Sequence, residues 1–526
     1  MTSLPSTPAV LTRRKLPIGI QTFAKLREEG CYYVDKTAHA MQLIESGSYY
    51  FLSRPRRFGK SLFLDMLKEL FEGKQALFTG LAAESRWDWS KKYPVIRISF
   101  SDGVLQSRAE LNGRIHEILQ DNQQRLGVSC THQSIGGRFE QLIAEVHRST
   151  GQRAVVLIDE YDKPILDNID NNAVALEMRE GLKNLYSVLK GADEHLKFVF
   201  LAGVSKFSKV SLFSGLNHLT DITLDKTYSS ICGYTEGDVD TVFAPELPGL
   251  DRALIRQWYN GYNWLGEPVY NPFGLLQLFR SREFKPHWFE TGTPTFLIKL
   301  LEQRQQFTPD LSRIVASESL LSTFDVDNIP VEALMFQAGY LTIKDVWQAP
   351  GLMELTLKYP NLEVQAALNS SLLQSLTGGL HVPGPQISQL YKLLMAQDFA
   401  GLKNLFHAFY ASIANDWYRK NELSNFEGYY VSIFYSYFAA LGLEMRLEDP
   451  TNQGRIDMTV LFNGQVFLFE FKVVEMNPAG AALQQIKDMG YADKYRSRGE
   501  PIHLIGVEFS KASRNIVGFA VQALLI

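Results

Sequence analysis

Phe51-Leu-Ser-Arg-Pro-Arg-Arg-Phe-Gly-Lys-Ser-Leu-Phe63 is the stretch that decides the fold of the N-terminal part of this chain. An apolar run over residues 49–52 precedes a basic turn, and apolar residues at helical spacing follow Gly-Lys-Ser. A strand, a tight loop and a helix in this order are typical of a phosphate-binding loop, where main-chain N–H groups and the helix dipole attract an anion. The stretch therefore predicts a P-loop NTPase core, with Lys60 at the β- and γ-phosphates of a nucleotide and Ser61 on Mg²⁺.

The loop departs from the general pattern G-x-x-x-x-G-K-[ST] in two ways. Arg54 stands where the pattern has glycine, and Pro55 removes one main-chain donor. Arg56 and Arg57 can supply charge at the phosphates where main-chain donors are fewer. The alternative interpretation is a basic turn that only caps a helix.

A second signal is Ala154-Val-Val-Leu-Ile-Asp-Glu-Tyr-Asp-Lys-Pro164. Its apolar run predicts a buried parallel strand, and ligands of open α/β sheets bind beyond the carboxyl ends of such strands. Asp159 is placed to hold Mg²⁺, directly or through water, and Glu160 is placed to polarise an attacking water. A buried strand that ends in solvated acids is the alternative.

The run 196–203 predicts another buried strand, which is followed by Val-Ser-Lys-Phe-Ser-Lys. A polar residue at the end of this strand could contact the γ-phosphate, so Ser205 and Lys206 are candidates, although ordinary loop polarity explains either residue equally well. Upstream, residues 32–37 predict a short β-like run, and the patterns at 108–126 and 134–150 predict amphipathic helices.

Composition limits the class of protein. The chain has 526 residues, a net charge of −4 and 45% hydrophobic residues, which indicates a soluble globular protein of several domains without a global basic field. The three cysteines are scattered, so neither a zinc site nor a disulfide framework is indicated, and a cytoplasmic location is expected. No apolar run is long enough to predict a membrane span, and the first residues do not resemble a signal peptide.

The C-terminal part predicts a β-hairpin with a charged face. Alternation with a period of two puts Glu470 and Lys472 on the same face of the second strand, and Asp457 lies across the hairpin. One acid on each strand and a nearby lysine can build a Mg²⁺ site with a positioned ammonium group. An alternating strand with solvated charges is the alternative. The predicted strands and turn are 454–462, Asn463-Gly464 and 465–474.

Five motifs of the N-terminal half resemble the AAA-ATPase-like family of mostly prokaryotic proteins. These are Leu16-Pro-Ile-Gly, Tyr33-Val-Asp-Lys-Thr37, Arg54-Pro-Arg-Arg-Phe-Gly-Lys-Ser61, Asp159-Glu-Tyr-Asp-Lys163 and Gly203-Val-Ser-Lys-Phe-Ser-Lys-Val-Ser211. The basic loop is the usual form in that family, and the resemblance implies ATP and Mg²⁺ as cofactors. The expected nucleotide-binding residues are Arg56, Arg57, Phe58, Gly59, Lys60, Ser61, Leu62, Asp159 and Ser205.

Members of that family usually carry a PD-(D/E)XK nuclease-like domain at the C-terminus. The hairpin resembles this fold, with Asp457 followed by Glu470-Phe-Lys472, although Ile456 replaces the usual proline. Gln485 and Tyr491, on a helix expected over 481–495, resemble its supporting Gln…Tyr element, and Glu427 is a further candidate acid. The resemblance implies that Asp457 and Glu470 hold metal and that Lys472 assists cleavage.

The expected organisation is that of an α/β multidomain protein. A disordered start (1–14) precedes the ATPase domain (15–232), a helical, winged-helix-like region (233–385) and the nuclease-like domain (386–526). The leading interpretation is an ATP-binding and ATP-hydrolysing protein coupled to a metal-dependent nuclease that acts on DNA or RNA. Two alternatives are a nucleotide-switched signalling or defence protein with an inactive nuclease-like domain, and a scaffold without turnover. Assembly into a homo-oligomer is left open.

Overall fold

The computed structural model describes residues 12–206, 218–289, 297–298, 301, 314–318, 321, 330–376, 384–413, 427–474 and 480–524. These residues divide into two compact units, each described here by itself. The first lies within Met1–Thr291 and Val315–Asn361, and the second within Gly292–Ile314 and Leu362–Ile526. Most of the expected disordered start, residues 1–11, is outside the described residues, as is most of the Gly- and Pro-rich boundary predicted at 378–385.

The first unit is built on a five-stranded parallel sheet with strand order β2-β3-β4-β1-β5. Its strands are β1 (Tyr49–Ser53), β2 (Val95–Ser99), β3 (Ala154–Asp159), β4 (Leu196–Gly203) and β5 (Thr220–Asp221). The central strands β3 and β4 are almost wholly buried, which explains their unbroken apolar runs. Because all strands are parallel, the basic loop after β1 and the acids after β3 meet at one edge of the sheet. The predicted parallel sheet flanked by helices is confirmed.

Three helices of this sheet region begin at residues whose side chains cap the helix. Ser107, Ser134 and Asn171 each accept a hydrogen bond from a main-chain N–H in the first turn of the helix that follows. The amphipathic helices predicted from 108 and 134 are confirmed. The helices are α1 (Phe23–Glu28), α2 (Thr37–Ser46), α3 (Lys60–Phe71), α4 (Arg108–Leu126), α5 (Ile135–Thr150), α6 (Lys163–Leu166) and α7 (Asn172–Gly191).

The β-like run expected over residues 32–37 is wrong. The β-bridge of this region is at Cys31, just before the run, and it is an isolated bridge to Lys15. Residues 32–36 form no strand, and Thr37 is already the first residue of α2. The carboxylate of Asp35 accepts hydrogen bonds from the main-chain N–H and the hydroxyl of Thr37, at 2.8 and 2.7 Å. Asp35 therefore forms an Asx turn that begins a helix, and this local interaction overrides the β-propensity of Tyr32, Tyr33 and Val34.

The remainder of the first unit is helical, followed by a small sheet of order β6-β8-β7. The helices are α8 (Glu236–Thr241), α9 (Arg252–Tyr259), α10 (Pro272–Ser281) and α11 (Val331–Ala338). The strands are β6 (Ile314–Ser317), β7 (Thr342–Ala349) and β8 (Leu352–Lys358). Aromatic side chains fill the space between these helices; Tyr259, Tyr262 and Tyr270 are fully buried.

The second unit contains a five-stranded mixed sheet of order β13-β12-β11-β10-β9, in which only β11 and β12 run parallel. The strands are β9 (Glu444–Pro450), β10 (Arg455–Phe462), β11 (Gln465–Val474), β12 (Ile502–Ser510) and β13 (Asn515–Leu524). The helices are α12 (Leu362–Leu376), α13 (Gly384–Ala396), α14 (Phe399–Ser412), α15 (Glu427–Ala439), α16 (Ala481–Asp488) and α17 (Asp493–Arg496). On one face of the sheet, Phe434 and Phe438 of α15 pack on Phe469 of β11.

Two details of the second unit bear on the predicted hairpin. Asn463 and Gly464 both have positive φ, 50° and 68°, as a two-residue I′ turn requires, so the predicted hairpin is confirmed. The single helix expected over 481–495 is wrong, because the chain forms α16 and α17 separately. Gly490 lies between them at φ 59°, and this left-handed residue ends the first helical segment.

Across the described ranges, no helix combines the length and the apolar character that crossing a membrane requires.

Candidate functional site

The basic loop after β1 ends at Gly59, whose φ of 95° turns the chain into α3. Lys60 is the first residue of this helix and is only 7% exposed. Its ammonium group donates hydrogen bonds to the carbonyl oxygens of Arg54 (2.8 Å) and Pro55 (2.9 Å). Burial lowers the pKa of Lys60, although nearby carboxylates, Asp159 first, oppose that shift. A buried ammonium group that rests on neutral carbonyls, at a helix N-terminus, is well placed to attract an anion.

A cavity of about 620 Å³ lies against the loop. The loop residues that line it are Arg56, Arg57, Phe58, Gly59, Lys60, Ser61 and Leu62. An apolar part of the lining consists of Pro17, Ile20, Leu26, Tyr33, Tyr234 and Leu276. Glu160 and Asp162 also contribute, whereas Asp159 and Ser205 are absent from the lining in the described part of the chain. Cationic, acidic and apolar surfaces in one cavity suit the phosphates, the metal and the base of a nucleotide.

Asp159 and Glu160 follow directly from the buried end of β3. Asp159 is 2% exposed, and its carboxylate accepts a hydrogen bond of 3.0 Å from the main-chain N–H of Glu160. Glu160 has a φ of 50° and a half-buried side chain that reaches the cavity. Burial, helped by the charge of Asp159, raises the pKa of Glu160, which makes its carboxylate a better proton acceptor.

Asp162 is the acid that joins the ends of β3 and β4. Its carboxylate accepts hydrogen bonds from the main-chain N–H groups of Val204 (3.1 Å) and Ser205 (2.6 Å), and also from the Ser205 hydroxyl. Burial raises the pKa of Asp162, against the effect of these hydrogen bonds. The hydroxyl of Ser205 is thus directed to Asp162, and Lys206 forms an ion pair with Asp221 at 2.5 Å.

The three arginines of the loop differ in their surroundings. Arg56 and Arg57 are exposed, and the guanidinium of Arg57 lies 5.1 Å from the ring centre of Phe273. Arg54 is fully buried and does not line the cavity. Phe58 is buried too, and its ring packs edge-on against the rings of Tyr262 and Trp264.

Lys36 was missed as a functional residue by the sequence reasoning. It lines the same cavity and forms an ion pair of 3.4 Å with Asp238, which belongs to the capping box of α8. Two signals were available: Lys36 lies within the Tyr33–Thr37 motif, and Thr235 to Asp238 has the spacing of a capping box.

In the second unit, the hairpin brings the predicted acids and lysine together. Asp457 accepts a hydrogen bond of 2.8 Å from the main-chain N–H of Phe471, so its carboxylate reaches across to β11. The Lys472 ammonium lies 3.5 Å from a carboxylate oxygen of Glu470. Burial and, secondly, the charge of Asp457 raise the pKa of Glu470 to about 7. The ammonium group of Lys472 opposes this shift but does not cancel it, so the two close carboxylates could still accept a further cation.

Helix α16 packs against β11 and β12 beside this site. The Gln485 amide donates a hydrogen bond to Oε1 of Glu470. This close packing depends on Gly506 of β12, since a Cβ there would collide with the main chain of Leu483. Tyr491 lies elsewhere, with its hydroxyl against Gly454. The side chain of Glu427 is outside the described residues.

Glu470 offers a test of whether a divalent cation fits. Its side chain is 1% exposed, and in the described structure its Oε2 atom has no hydrogen-bond partner. A buried carboxylate oxygen without a donor is costly, and a metal ion would satisfy it. Among the described residues, no group of three or more His, Cys, Asp or Glu side chains suited to a metal occurs. Oxygen ligands from two carboxylates, such as Asp457 and Glu470, suit Mg²⁺, which usually keeps several waters.

The raised pKa of Glu470 predicts how pH acts on stability in the presence of chelator. The folded state holds the proton more tightly than the unfolded state, so this group stabilises the protein at low pH and loses that contribution as pH rises through about 7. Between about pH 5 and pH 8, urea unfolding should show a larger loss of stability in the wild type than in Glu470→Gln. Parallel stability curves for the two proteins would contradict the prediction.

Comparison with known proteins agrees with this architecture. A family model described as a predicted AAA-ATPase matches residues 17–213, and a model of the PD-(D/E)XK nuclease superfamily matches residues 425–519. A protein of Azotobacter chroococcum mcd 1, described as an uncharacterized protein in the vnfD 5′ region, is 62% identical over 520 residues, which cover 98% of this chain and all of that protein. The chain therefore belongs to the AAA-ATPase-like family and carries a C-terminal domain of the PD-(D/E)XK nuclease superfamily.

Proposed function

We propose that the first unit binds ATP with Mg²⁺ and hydrolyses it. The observation that carries this proposal is the buried ammonium group of Lys60, which lies at the start of α3 and lines the same cavity as Glu160. Burying a cation is costly unless a counter-charge is present, and a polyphosphate supplies that charge. Asp159 and the two loop carbonyl oxygens compensate this buried cation in part, and a bound polyphosphate would add a stronger counter-charge.

Each residue of the proposed ATP site has a distinct role. Lys60 binds the β- and γ-phosphates, and the main-chain N–H groups of Gly59 and Ser61 contact them from the helix start. The Ser61 hydroxyl and Asp159 would hold Mg²⁺, Asp159 directly or through water. Glu160 accepts the proton of the attacking water. Bound Mg²⁺ neutralises the negative charge that develops on the phosphates.

We infer that the second unit holds a divalent metal and hydrolyses phosphodiester bonds of DNA or RNA. Asp457 and Glu470 hold the ion, which supplies positive charge at the scissile phosphate. Lys472 orients the attacking water and stabilises the negative charge of the transition state. Gln485 keeps one oxygen of Glu470 in place, which leaves Oε2 for the metal. We also propose a cytoplasmic location, because the three scattered cysteines do not indicate a disulfide framework.

One assay tests both activities. The purified full-length chain is incubated with labelled DNA and RNA, with Mg²⁺ or Mn²⁺, with and without ATP, and phosphate release and strand cleavage are measured. Cleavage that needs metal supports the nuclease. ATP binding with no cleavage under any condition would favour a nucleotide-switched protein whose second unit only binds nucleic acid or a partner. Neither binding nor turnover of ATP would overturn the first proposal.

The exposed arginines of the loop give a quantitative prediction. If Arg56 and Arg57 form charged hydrogen bonds with the phosphates, Arg56→Ala and Arg57→Ala should each weaken ATP binding by about 1–3 kcal/mol. Neither side chain is buried, so the thermal stability of the protein should change little. Isothermal titration calorimetry measures the effect. Wild-type affinity in both variants would assign these arginines to the solvated surface.

A further inference from the structure

Arg54 occupies the loop position at which the general phosphate-loop pattern has glycine, yet its side chain is completely buried. Its guanidinium donates hydrogen bonds to the carbonyl oxygens of Ser53 (2.8 Å), Thr223 (2.9 Å) and Tyr228 (3.1 Å). The same group lies 4.1 Å from the ring centre of Trp264. One side chain thus links the beginning of the loop to two distant parts of the first unit, residues 223–228 and Trp264.

The main chain of Arg54 is equally constrained. Its N–H donates to the carbonyl oxygen of Gly203 at the end of β4, at 3.1 Å. Its own carbonyl oxygen accepts the hydrogen bond of 2.8 Å from the Lys60 ammonium. Any shift of Arg54 would therefore move both the loop and the position of Lys60.

Other loop residues are held by the same aromatic surroundings. The ring of Phe58 packs edge-on against Tyr262 and Trp264, with ring centres 4.7 and 5.4 Å apart. The indole N–H of Trp288 donates to the carbonyl oxygen of Arg56 at 2.9 Å. A glycine-rich loop owes its shape to the conformational freedom of glycine, whereas this loop is shaped by side-chain contacts.

The positive charge of Arg54 also bears on the binding of an anion. Its hydrogen bonds go to neutral carbonyl oxygens, and its Nε atom has no hydrogen-bond partner within the described ranges. Burial lowers the pKa of Arg54 to about 10, so the group stays protonated at neutral pH. A buried cation of this kind favours an anion nearby, because the Coulomb interaction is weakly screened in the protein interior.

We propose that Arg54 is a positioning residue of the nucleotide site. It holds the phosphate loop through three carbonyl groups and Trp264, and its buried charge strengthens polyphosphate binding without contact with the ligand. This inference rests on the proposed ATP-binding function. It predicts that the effect of removing the charge depends on how many negative charges the ligand carries.

The test compares ATP, ADP and AMP in Arg54→Met, which removes the charge at similar volume, and in Arg54→Lys, which keeps it. Calorimetry should show that Arg54→Met weakens ATP binding about 10- to 100-fold, ADP binding less and AMP binding least. Arg54→Lys should recover part of the ATP affinity. Arg86 provides the matched control, because it is solvent-accessible and paired with Glu45 at 3.1 Å; Arg86→Met should bind all three nucleotides as the wild type does.

Trp264→Phe keeps the test decisive should Arg54→Met fail to fold. It removes the indole beneath the guanidinium but retains an aromatic ring, and it should weaken ATP binding about three- to tenfold. Equal weakening of ATP, ADP and AMP in a folded Arg54→Met, or wild-type ATP affinity in Trp264→Phe, overturns the inference alone. A wild-type chain that binds no nucleotide overturns the proposed function as well.

Discussion

Lys60→Ala is expected to lower the affinity for ATP by at least about a hundredfold, because charged hydrogen bonds contribute about 1.5–3 kcal/mol each. The ammonium group lies within the loop, 2.8 Å from the carbonyl oxygen of Arg54, and Lys60 lines the cavity proposed to hold the nucleotide. Removing it leaves the helix start without its point charge. Calorimetry with ATP and Mg²⁺ measures the loss directly.

One further variant serves as a control for ATP binding, and another separates ATP binding from ATP hydrolysis. Lys74→Ala removes an exposed lysine just after α3 and should bind ATP as the wild type does. Glu160→Gln should retain ATP binding and lose hydrolysis, since the amide keeps the shape of the side chain but cannot accept a proton. Equal ATP affinity in the wild type and in Lys60→Ala would show that the loop is a helix-capping turn.

The sheet of the first unit and the C-terminal hairpin were predictable because local patterns determine them. The apolar runs of β3 and β4 are buried on both faces, and Asn463-Gly464 fits only a narrow class of turn. The failure at residues 32–37 has a local cause as well, the Asx turn of Asp35, which an apolar pattern does not reveal.

The contacts of the candidate sites were less predictable, because they join residues far apart in the sequence. Nothing near Arg54 in the chain indicates that Trp264 stacks on its guanidinium. The position of Ser205 after a strand was predictable, but the direction of its hydroxyl towards Asp162 depends on how two strands end together. Likewise, alternation predicts the face of Glu470, while its burial depends on how closely α16 packs on β12.

The nuclease-like site should lose its activity in three separate variants, for two different reasons. Asp457→Ala and Glu470→Ala each remove a carboxylate, so metal affinity and cleavage should fall together. Lys472→Ala should retain metal binding and still lose about 100- to 1,000-fold in cleavage rate, because the ammonium group acts on the transition state. Chelator should abolish any cleavage by the wild type, and Mg²⁺ or Mn²⁺ should restore it.

Measuring metal binding and cleavage on the same samples distinguishes these two effects. Lys487→Ala and Asp488→Ala, two exposed positions on α16, are the matched controls and should behave as the wild type in both assays. If all three site variants cleave as well as the wild type, the activity comes from another source. The second unit then binds nucleic acid or a partner without cutting it.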